Sequence, residues 1–211
     1  MIWYNNFCKV VYPIYGIIKM KYNYPEGATP LEPEEILGLI PQHITTHEQL
    51  NAWEQRNILE GEKWARKKRN IVSVDFIKKL HEHMFNQTWK WAGKFRQSGK
   101  NIGVDWHMIS IELQKLCDDV NYQLEHHSFS HDEIAIRFHH RLVWIHPFPN
   151  GNGRHARLMA DLLIMQLNHP RFSWGMHHDL YKATTVRKQY IEALRLADRG
   201  DYSQLISFAR S

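Results

Sequence analysis

The stretch His146-Pro-Phe-Pro-Asn150-Gly-Asn-Gly-Arg154-His-Ala-Arg157 decides how the rest of the chain is interpreted. It places a histidine, two glycines around an asparagine, and two arginines at the junction of two predicted helices. Glycines let backbone N–H groups converge on an anion, and the positive end of the following helix strengthens that field. Arg154 and Arg157 share one face of this helix because they are three residues apart. The stretch therefore predicts a phosphate site, and polyphosphate suits its paired charges.

The segments on both sides of this stretch are predicted to be helices. Ser130 followed by Glu133 is a capping-box pattern, which opens a helix that runs to about Ile145. From Arg154 to Pro170 the chain is apolar almost all round, so this helix is expected to be the most buried one. Further helices are predicted at about residues 47–68, 74–85, 111–126 and 180–199, with Gly200 as the last C-terminal cap. The sequence thus predicts a mainly α fold.

One segment has a different pattern. Glycines at positions 93, 99 and 103 separate residues that prefer strands, which predicts a β-hairpin at about residues 94–106. An exposed hairpin edge can pair with an extended segment of another protein. A hairpin without any partner is an equally good interpretation, because edges are often merely protected from pairing.

Length and composition are those of one globular domain. The chain has 211 residues, of which 43% are hydrophobic and 23% charged, and a net charge of +5. Cys8 and Cys117 have no metal or redox spacing, so a reducing compartment, the cytoplasm, is predicted. Residues 1–30 are interpreted as an irregular extension, with Met20 as a candidate start, and residues 31–211 as a single domain. Residues 1–19 lack the features of a signal peptide or membrane anchor.

The stretch from His146 to Arg157 resembles the motif of the Fic family, His-Pro-Phe-x-Asp/Glu-Gly-Asn-Gly-Arg-x-x-Arg. The one departure is Asn150, which stands where the family has a carboxylate. The resemblance extends from about residue 45 to 200, includes the Ala-Gly-Lys-Phe-Arg segment at 92–96, and is strongest to the subgroup labelled mobile mystery protein B. It implies a Fic-type helical bundle with the hairpin as a flap over the active-site loop. The flap residues that would dock a target are Lys100, Asn101, Ile102 and Gly103.

The resemblance also implies a reaction, the transfer of AMP from Mg-ATP to a Tyr, Thr or Ser hydroxyl of a target protein. His146 would be the general base. Arg154 would hold the β-phosphate region and Arg157 the γ-phosphate. The full set of implied phosphate-binding residues is Gly151, Asn152, Gly153, Arg154 and Arg157. Mg²⁺ is expected with ATP, although Asn150 would be a weaker, neutral ligand for it.

An inhibitory element is a further implication of the resemblance. Glu60-Gly61 matches the end of the family's inhibitory motif, Ser/Thr-x-x-x-Glu-Gly/Asn, whereas Arg56 departs from its start. Glu60 is assigned to an apolar face of the helix at 47–68, where an unpaired carboxylate would be costly. We therefore expect Glu60 to pair with Arg157 and deny it to the γ-phosphate. A surface ion pair with Arg56 or Lys63 is the alternative.

Other functions and partners are less well supported. Phosphotransfer, as in the Doc branch of the family, is disfavoured because that branch has Asn-Lys where this chain has Asn152-Gly-Arg. A non-catalytic binding module has only the mild basic charge in its favour. A toxin-like bacterial role and a small DNA-binding control partner follow from resemblance alone. Direct binding to nucleic acid or membrane is not predicted, and a homo-oligomer is left open.

Overall fold

The computed structural model describes residues 31–175 and 184–211. The α-helices within these ranges are α1 (Pro33–Ile36), α2 (His47–Ala65), α3 (Val74–Phe85), α4 (Ile109–Glu125), α5 (His131–Ile145), α6 (Asn152–Gln166), α7 (Thr184–Ala197) and α8 (Ser203–Arg210). A 3₁₀ turn, Trp106–Met108, leads into α4. The predicted mainly α fold is confirmed. None of the described helices is long and apolar enough to cross a membrane.

Local sequence signals explain where several helices begin. The Thr46 hydroxyl accepts a hydrogen bond from the Gln49 backbone N–H, and the Gln49 side chain accepts one from the Thr46 N–H, each at 3.2 Å. Ser73 and Ser130 cap α3 and α5 by accepting from the backbone N–H three residues later. Each cap stabilises its helix by about 1 kcal/mol. These short-range contacts are the reason that sequence patterns locate the helix starts well.

The centre of the bundle is the packed pair α5 and α6. Both helices carry side chains that are almost completely buried, namely Ile134, Phe138, Leu142 and Ile145 of α5 and Met159, Ala160 and Ile164 of α6. Because the Fic-like stretch connects these two helices, closely packed core helices hold it at both ends. The expectation that the helix after Arg154 is deeply buried is confirmed.

Helices α2 and α3 pack closely against each other. A Cβ atom at Gly61 would lie 2.9 Å from the backbone nitrogen of Met84, so a larger residue cannot be accommodated without a shift. Asn57 adds a polar link, since its amide donates to the His83 carbonyl at 3.1 Å and its Oδ1 accepts from the Gln87 N–H at 3.0 Å. Asn57 thereby satisfies backbone groups at the end of α3.

The predicted β-hairpin at about 94–106 is wrong. Residues 94–105 form no strand in the described structure, and their backbone groups bond elsewhere. The Arg96 N–H donates to the Pro147 carbonyl at 2.9 Å, and the Val104 N–H donates to the Ile145 carbonyl at 3.3 Å. The segment thus donates hydrogen bonds to the end of α5 instead of pairing with itself. We name residues 97–105 the covering loop.

The two ends of the described chain also differ from expectation in part. The helix predicted to be the last one does end before Gly200, which has φ +92°. However, a separate helix, α8, follows it, with Leu205 and Ala209 buried. The expected start of that last helix at about 180 lies outside the described residues. The predicted extension at residues 1–30, including Met20, lies outside them as well.

Candidate active site

The stretch from His146 to Arg157 forms the connection between α5 and α6. His146 comes directly after α5 with φ +54°, in the left-handed region, and Gly151 precedes α6 with φ +79°. A Cβ at Gly151 would lie 2.6 Å from the Phe85 ring, so glycine is required by space as well as by conformation. Gly151 offers no side chain to cap α6, and the positive end of this helix therefore faces the loop.

Buried contacts hold the loop between α5 and α6 in place. The Phe148 side chain is fully buried and stacks on His81 with ring centroids 3.7 Å apart. The Asn152 side chain makes two bonds to the Phe148 backbone, accepting from its N–H at 2.9 Å and donating to its carbonyl at 2.7 Å. The Asn152 side chain therefore holds the loop together, so the predicted contact of Asn152 with phosphate would have to come from its backbone.

His81 is a site residue that the sequence did not reveal. Its Nδ1 accepts a hydrogen bond from the Gly93 N–H at 3.0 Å, so the proton of the neutral ring must be on Nε2. That Nε2–H donates to the Asn150 carbonyl at 3.1 Å. Burial lowers the pKa of His81 well below 6.5, and the charges of His155 and Arg154 act in the same direction. His81 is therefore a neutral link between residues 146–151, named the phosphate loop for the role that the motif predicts, and the segment before Arg96.

His146 is a buried, uncharged histidine directly after α5. It is only 6% exposed, and its backbone is fixed by the N–H bond to the Leu142 carbonyl at 3.1 Å. Burial lowers the pKa of His146 to about 3, with further lowering by the positive charges of Arg96 and Lys100. The bond with the Val143 backbone acts in the opposite direction. At neutral pH the imidazole is therefore uncharged, which is the protonation state that the predicted general base requires.

Arg154 is paired with a carboxylate that the sequence patterns did not single out. Its Nη1 donates to Glu54 Oε2 at 2.5 Å, and the Glu54 Oε1 accepts from Trp89 Nε1 at 2.7 Å. Glu54 is 4% exposed and lies on α2, and the Arg154 guanidinium also lies 4.9 Å from the Phe85 ring centroid. Glu54 thus occupies a guanidinium that the motif would present to phosphate.

Arg157 has different surroundings from Arg154. Its guanidinium carbon lies 5.6 Å from the Tyr190 ring centroid, and a Cβ added at Gly153 would lie 3.8 Å from its Nη1. The Tyr190 hydroxyl contacts His139 Nε2 at 3.0 Å. Arg157 is therefore held against α7 beside the first turn of α6, where the motif places a phosphate ligand.

The predicted pairing of Glu60 with Arg157 is wrong. Glu60 forms an ion pair with Lys63 at 2.7 Å, and its side chain is 59% exposed. The alternative of a surface ion pair is confirmed. The error is one of helical phase, because the buried positions of α2 include Leu50, Glu54, Asn57, Gly61 and Ala65. Their spacing of three and four residues places Glu54 on the buried face of α2. Gly61 lies on the same face, where it allows α2 to approach α3 closely.

Asn150 is the loop residue that was predicted to contact a metal ion. Its Oδ1 accepts from the Gly151 N–H at 2.7 Å and from Arg154 Nη2 at 3.4 Å. The described residues contain no group of three or more His, Cys, Asp or Glu that could hold a metal. Asn150 therefore offers one neutral oxygen that already accepts two hydrogen bonds, so an Mg²⁺ ion here would be held mainly by phosphate oxygens and water.

The covering loop is anchored more firmly than a docking edge would be. The Lys100 side chain is 2% exposed and pairs with Glu35 of α1 at 2.5 Å, while Ile102 is also buried. Asn101 is partly buried, and a Cβ at Gly103 would lie 2.8 Å from the His146 Cβ. The four residues predicted to dock a target therefore do not form an exposed strand edge, because Lys100 and Ile102 point inward.

These features define a class of protein. A helical bundle presents a buried, neutral histidine and two arginines on a glycine turn that ends at the positive end of a helix. Consistent with this, residues 71–164 match the family model described as the Fic/DOC family. Residues 71–164 are therefore similar to a Fic/DOC domain, and the resemblance predicted from the motif is confirmed. The matched range includes α3, α4, α5 and all of the phosphate loop.

Relatives of known name are similar over most of this chain. Protein adenylyltransferase fic-1 of Caenorhabditis briggsae is 28% identical over 147 residues, which cover 67% of this chain and 27% of the relative. Protein adenylyltransferase Fic of Nematostella vectensis is 26% identical over 92% of this chain and 40% of its own length. The chain thus spans well under half the length of these relatives.

Solved structures share the fold. A fragment of Fic-1 from C. elegans aligns with a TM-score of 0.63 over 84% of this chain and 52% of that chain, at 22% identity. The BepC protein of Bartonella tribocorum, solved with bound AMPPNP, aligns with a TM-score of 0.59 over 81% of this chain and 89% of its own, at 18% identity. The predicted Fic-type bundle is therefore confirmed.

Proposed function

We propose that this chain is a protein adenylyltransferase that transfers AMP from ATP to a Tyr, Thr or Ser hydroxyl of a target protein. The observation that carries the proposal is the buried, neutral His146 beside a glycine turn with Arg154 and Arg157. Relatives named protein adenylyltransferase support the choice of reaction. The AMPPNP bound to a structural neighbour supports an adenine nucleotide as the ligand.

The reaction assigns one step to each of these groups. The neutral His146 imidazole accepts the proton of the target hydroxyl, and the oxygen forms a bond to the α-phosphorus of ATP. The bond between the α-phosphorus and the bridging oxygen breaks, and pyrophosphate leaves with the electron pair. The positive end of α6, Arg154 and Arg157 stabilise the charge that develops on the leaving group.

ATP binding requires a rearrangement at Arg154. A β-phosphate oxygen competes with the Glu54 carboxylate, which contacts Arg154 at 2.5 Å. Charged, hydrogen-bonded pairs of this kind are strong when shielded from water. The arrangement with Glu54 in place is therefore a resting state, and nucleotide binding must displace this carboxylate from the guanidinium.

Mg²⁺ is proposed to bind together with ATP. Asn150 would supply one oxygen to an ion otherwise held by phosphate oxygens and water, and the ion would neutralise phosphate charge. A toxin-like role, a small DNA-binding control partner and a cytoplasmic location remain parts of the proposal that rest on family resemblance and composition.

The test uses ATP labelled at either the α- or the γ-phosphate, with the purified chain in a bacterial lysate. The expected result is protein-bound label from the α-position only, lost in His146→Ala and retained in His126→Ala, which removes an exposed histidine. A Glu54→Gln variant is assayed in parallel, so that a resting wild type is not mistaken for an inactive one. Label from the γ-position would indicate phosphotransfer, and equal labelling by His146→Ala would exclude the proposed mechanism.

A further inference from the structure

Arg96 is buried although it carries a full charge. It is 2% exposed, and it lies in the segment that leads into the covering loop. In the described part of the chain its side chain donates hydrogen bonds to backbone carbonyls of His146, Ser98, Val104 and Ile145. The bond from Nε to the His146 carbonyl is 2.7 Å long, and that from Nη1 to the Ser98 carbonyl is 2.8 Å long. A planar guanidinium suits several acceptors in fixed directions.

These acceptors belong to two segments that must be held together. The carbonyls of Ile145 and His146 are at the C-terminus of α5, where a positive charge is favourable. The carbonyls of Ser98 and Val104 are at the two ends of the covering loop. The Arg96 backbone adds a bond to the Pro147 carbonyl at 2.9 Å. One side chain thus joins the end of the helix that bears the proposed base to the loop beside it.

We propose that Arg96 is a positioning residue for His146. It holds the His146 backbone in its left-handed conformation at the end of α5, and it holds the covering loop against that residue. The close approach at Gly103 shows how little space is available, since a Cβ there would lie 2.8 Å from both Arg96 Nη2 and the His146 Cβ. The imidazole therefore meets the target hydroxyl in one orientation. The kinetic part of this inference rests on the proposed adenylyltransferase function.

The charge of Arg96 has a second effect on the same imidazole. Burial is the main reason that the pKa of His146 is low. Among the described residues, Arg96 and Lys100 are the cations that lower this pKa further. Lys100 is paired with Glu35, and the charges of Asp105 and Glu35 act on Arg96 itself. Removing the Arg96 charge therefore removes one repulsion from the protonated imidazole, which raises the pKa of His146.

Two substitutions separate geometry from charge. Arg96→Lys keeps the charge and loses the planar set of donors, whereas Arg96→Gln loses the charge. Lys94→Gln, which removes an exposed cation two residues away, is the matched control. We expect both Arg96 variants to lower kcat by about tenfold or more, as misplacement of a catalytic group does, with the KM for ATP nearly unchanged. Lys94→Gln should match the wild type.

A second measurement does not depend on turnover. The His146 imidazole is titrated with pH in the nucleotide-free protein by ¹³C NMR, and its signal is assigned by its absence in His146→Ala. The pKa of His146 should rise in Arg96→Gln and stay low in Arg96→Lys, while the His146 chemical shift changes in both. Wild-type shifts and turnover in both variants would overturn the inference. Variants that fail to fold would also overturn it, because Arg96 would then be a core residue. If the wild type transfers no AMP, the proposed function is wrong, but the titration still shows whether Arg96 determines the surroundings of the His146 imidazole.

Discussion

At the scale of single residues, the contact between Glu54 and Arg154 yields the most direct prediction. Glu54→Gln keeps the shape of the side chain and removes the charge that competes with phosphate. We expect ATP to bind roughly tenfold more tightly, equivalent to about 1.4 kcal/mol, as measured by isothermal titration calorimetry. Glu60→Gln on the same helix is the control, because Glu60 is exposed and pairs with Lys63. Tighter binding by Glu60→Gln, with no change at Glu54, would contradict the proposed resting state.

Asn150 gives a second prediction at this scale. Asn150→Asp replaces a neutral oxygen ligand with a charged one, which a hard cation prefers. We expect the Mg²⁺ concentration for half-maximal transfer to fall about tenfold. Without Mg²⁺ the new carboxylate would instead pair with Arg154, since the Asn150 Oδ1 already lies 3.4 Å from Arg154 Nη2. An unchanged Mg²⁺ requirement would show that Asn150 does not contact the ion.

At the scale of elements, the packing of α2 on α3 predicts an unusual response to a glycine substitution. Alanine normally stabilises a helix relative to glycine, but a Cβ at Gly61 would meet the His83–Met84 backbone at 2.9–3.0 Å. We expect Gly61→Ala to destabilise the protein by roughly 1–3 kcal/mol in urea unfolding, as overpacking does. Gly99→Ala is the control, because nothing lies within 4 Å of its added Cβ. A stabilised Gly61→Ala protein would contradict the close helix approach.

The elements also show what the sequence can and cannot predict. Helix α3 is predicted at its observed bounds, because its cap and apolar period are local features. The phosphate loop is predictable because its residues are contiguous. The hairpin prediction is wrong because Arg96 bonds to a carbonyl about fifty positions away, and no local pattern encodes that choice. The Glu54–Arg154 pair joins residues separated by 100 positions, so only the packing of α2 could reveal it.

At the scale of the whole molecule, buried histidines make stability depend on pH. Burial lowers the pKa of His139 and His146 to about 3 and that of His155 to about 4, and it lowers the pKa of His81 strongly as well. Below pH 6.5 the unfolded chain therefore binds protons that the folded chain refuses, so the free energy of unfolding falls as the pH falls. Asp161 opposes this in part, because burial raises its pKa to about 6 and the folded chain then binds the proton.

The expected loss of stability at low pH is large enough to measure by urea unfolding. By pH 5 His139, His146 and His155 each remove on the order of 1–2 kcal/mol, and His81 acts in the same direction, so urea midpoints should drop sharply between pH 7.5 and 5. The unfolding midpoint should be recovered when the sample is returned to pH 7.5. Constant stability across this range would mean that the histidine rings reach solvent in the folded protein.

The neutral ring of His81 bonds to two loops at once. Nδ1 accepts from the Gly93 N–H and Nε2 donates to the Asn150 carbonyl, so one imidazole connects the start of the segment that carries Arg96 to the backbone of the proposed phosphate site. A proton added to Nδ1 would set two N–H groups against each other and push the Gly93 side away. A shift of Gly93 would therefore move the Asn150 carbonyl as well, so the surroundings of the proposed base and of the proposed phosphate site would change together.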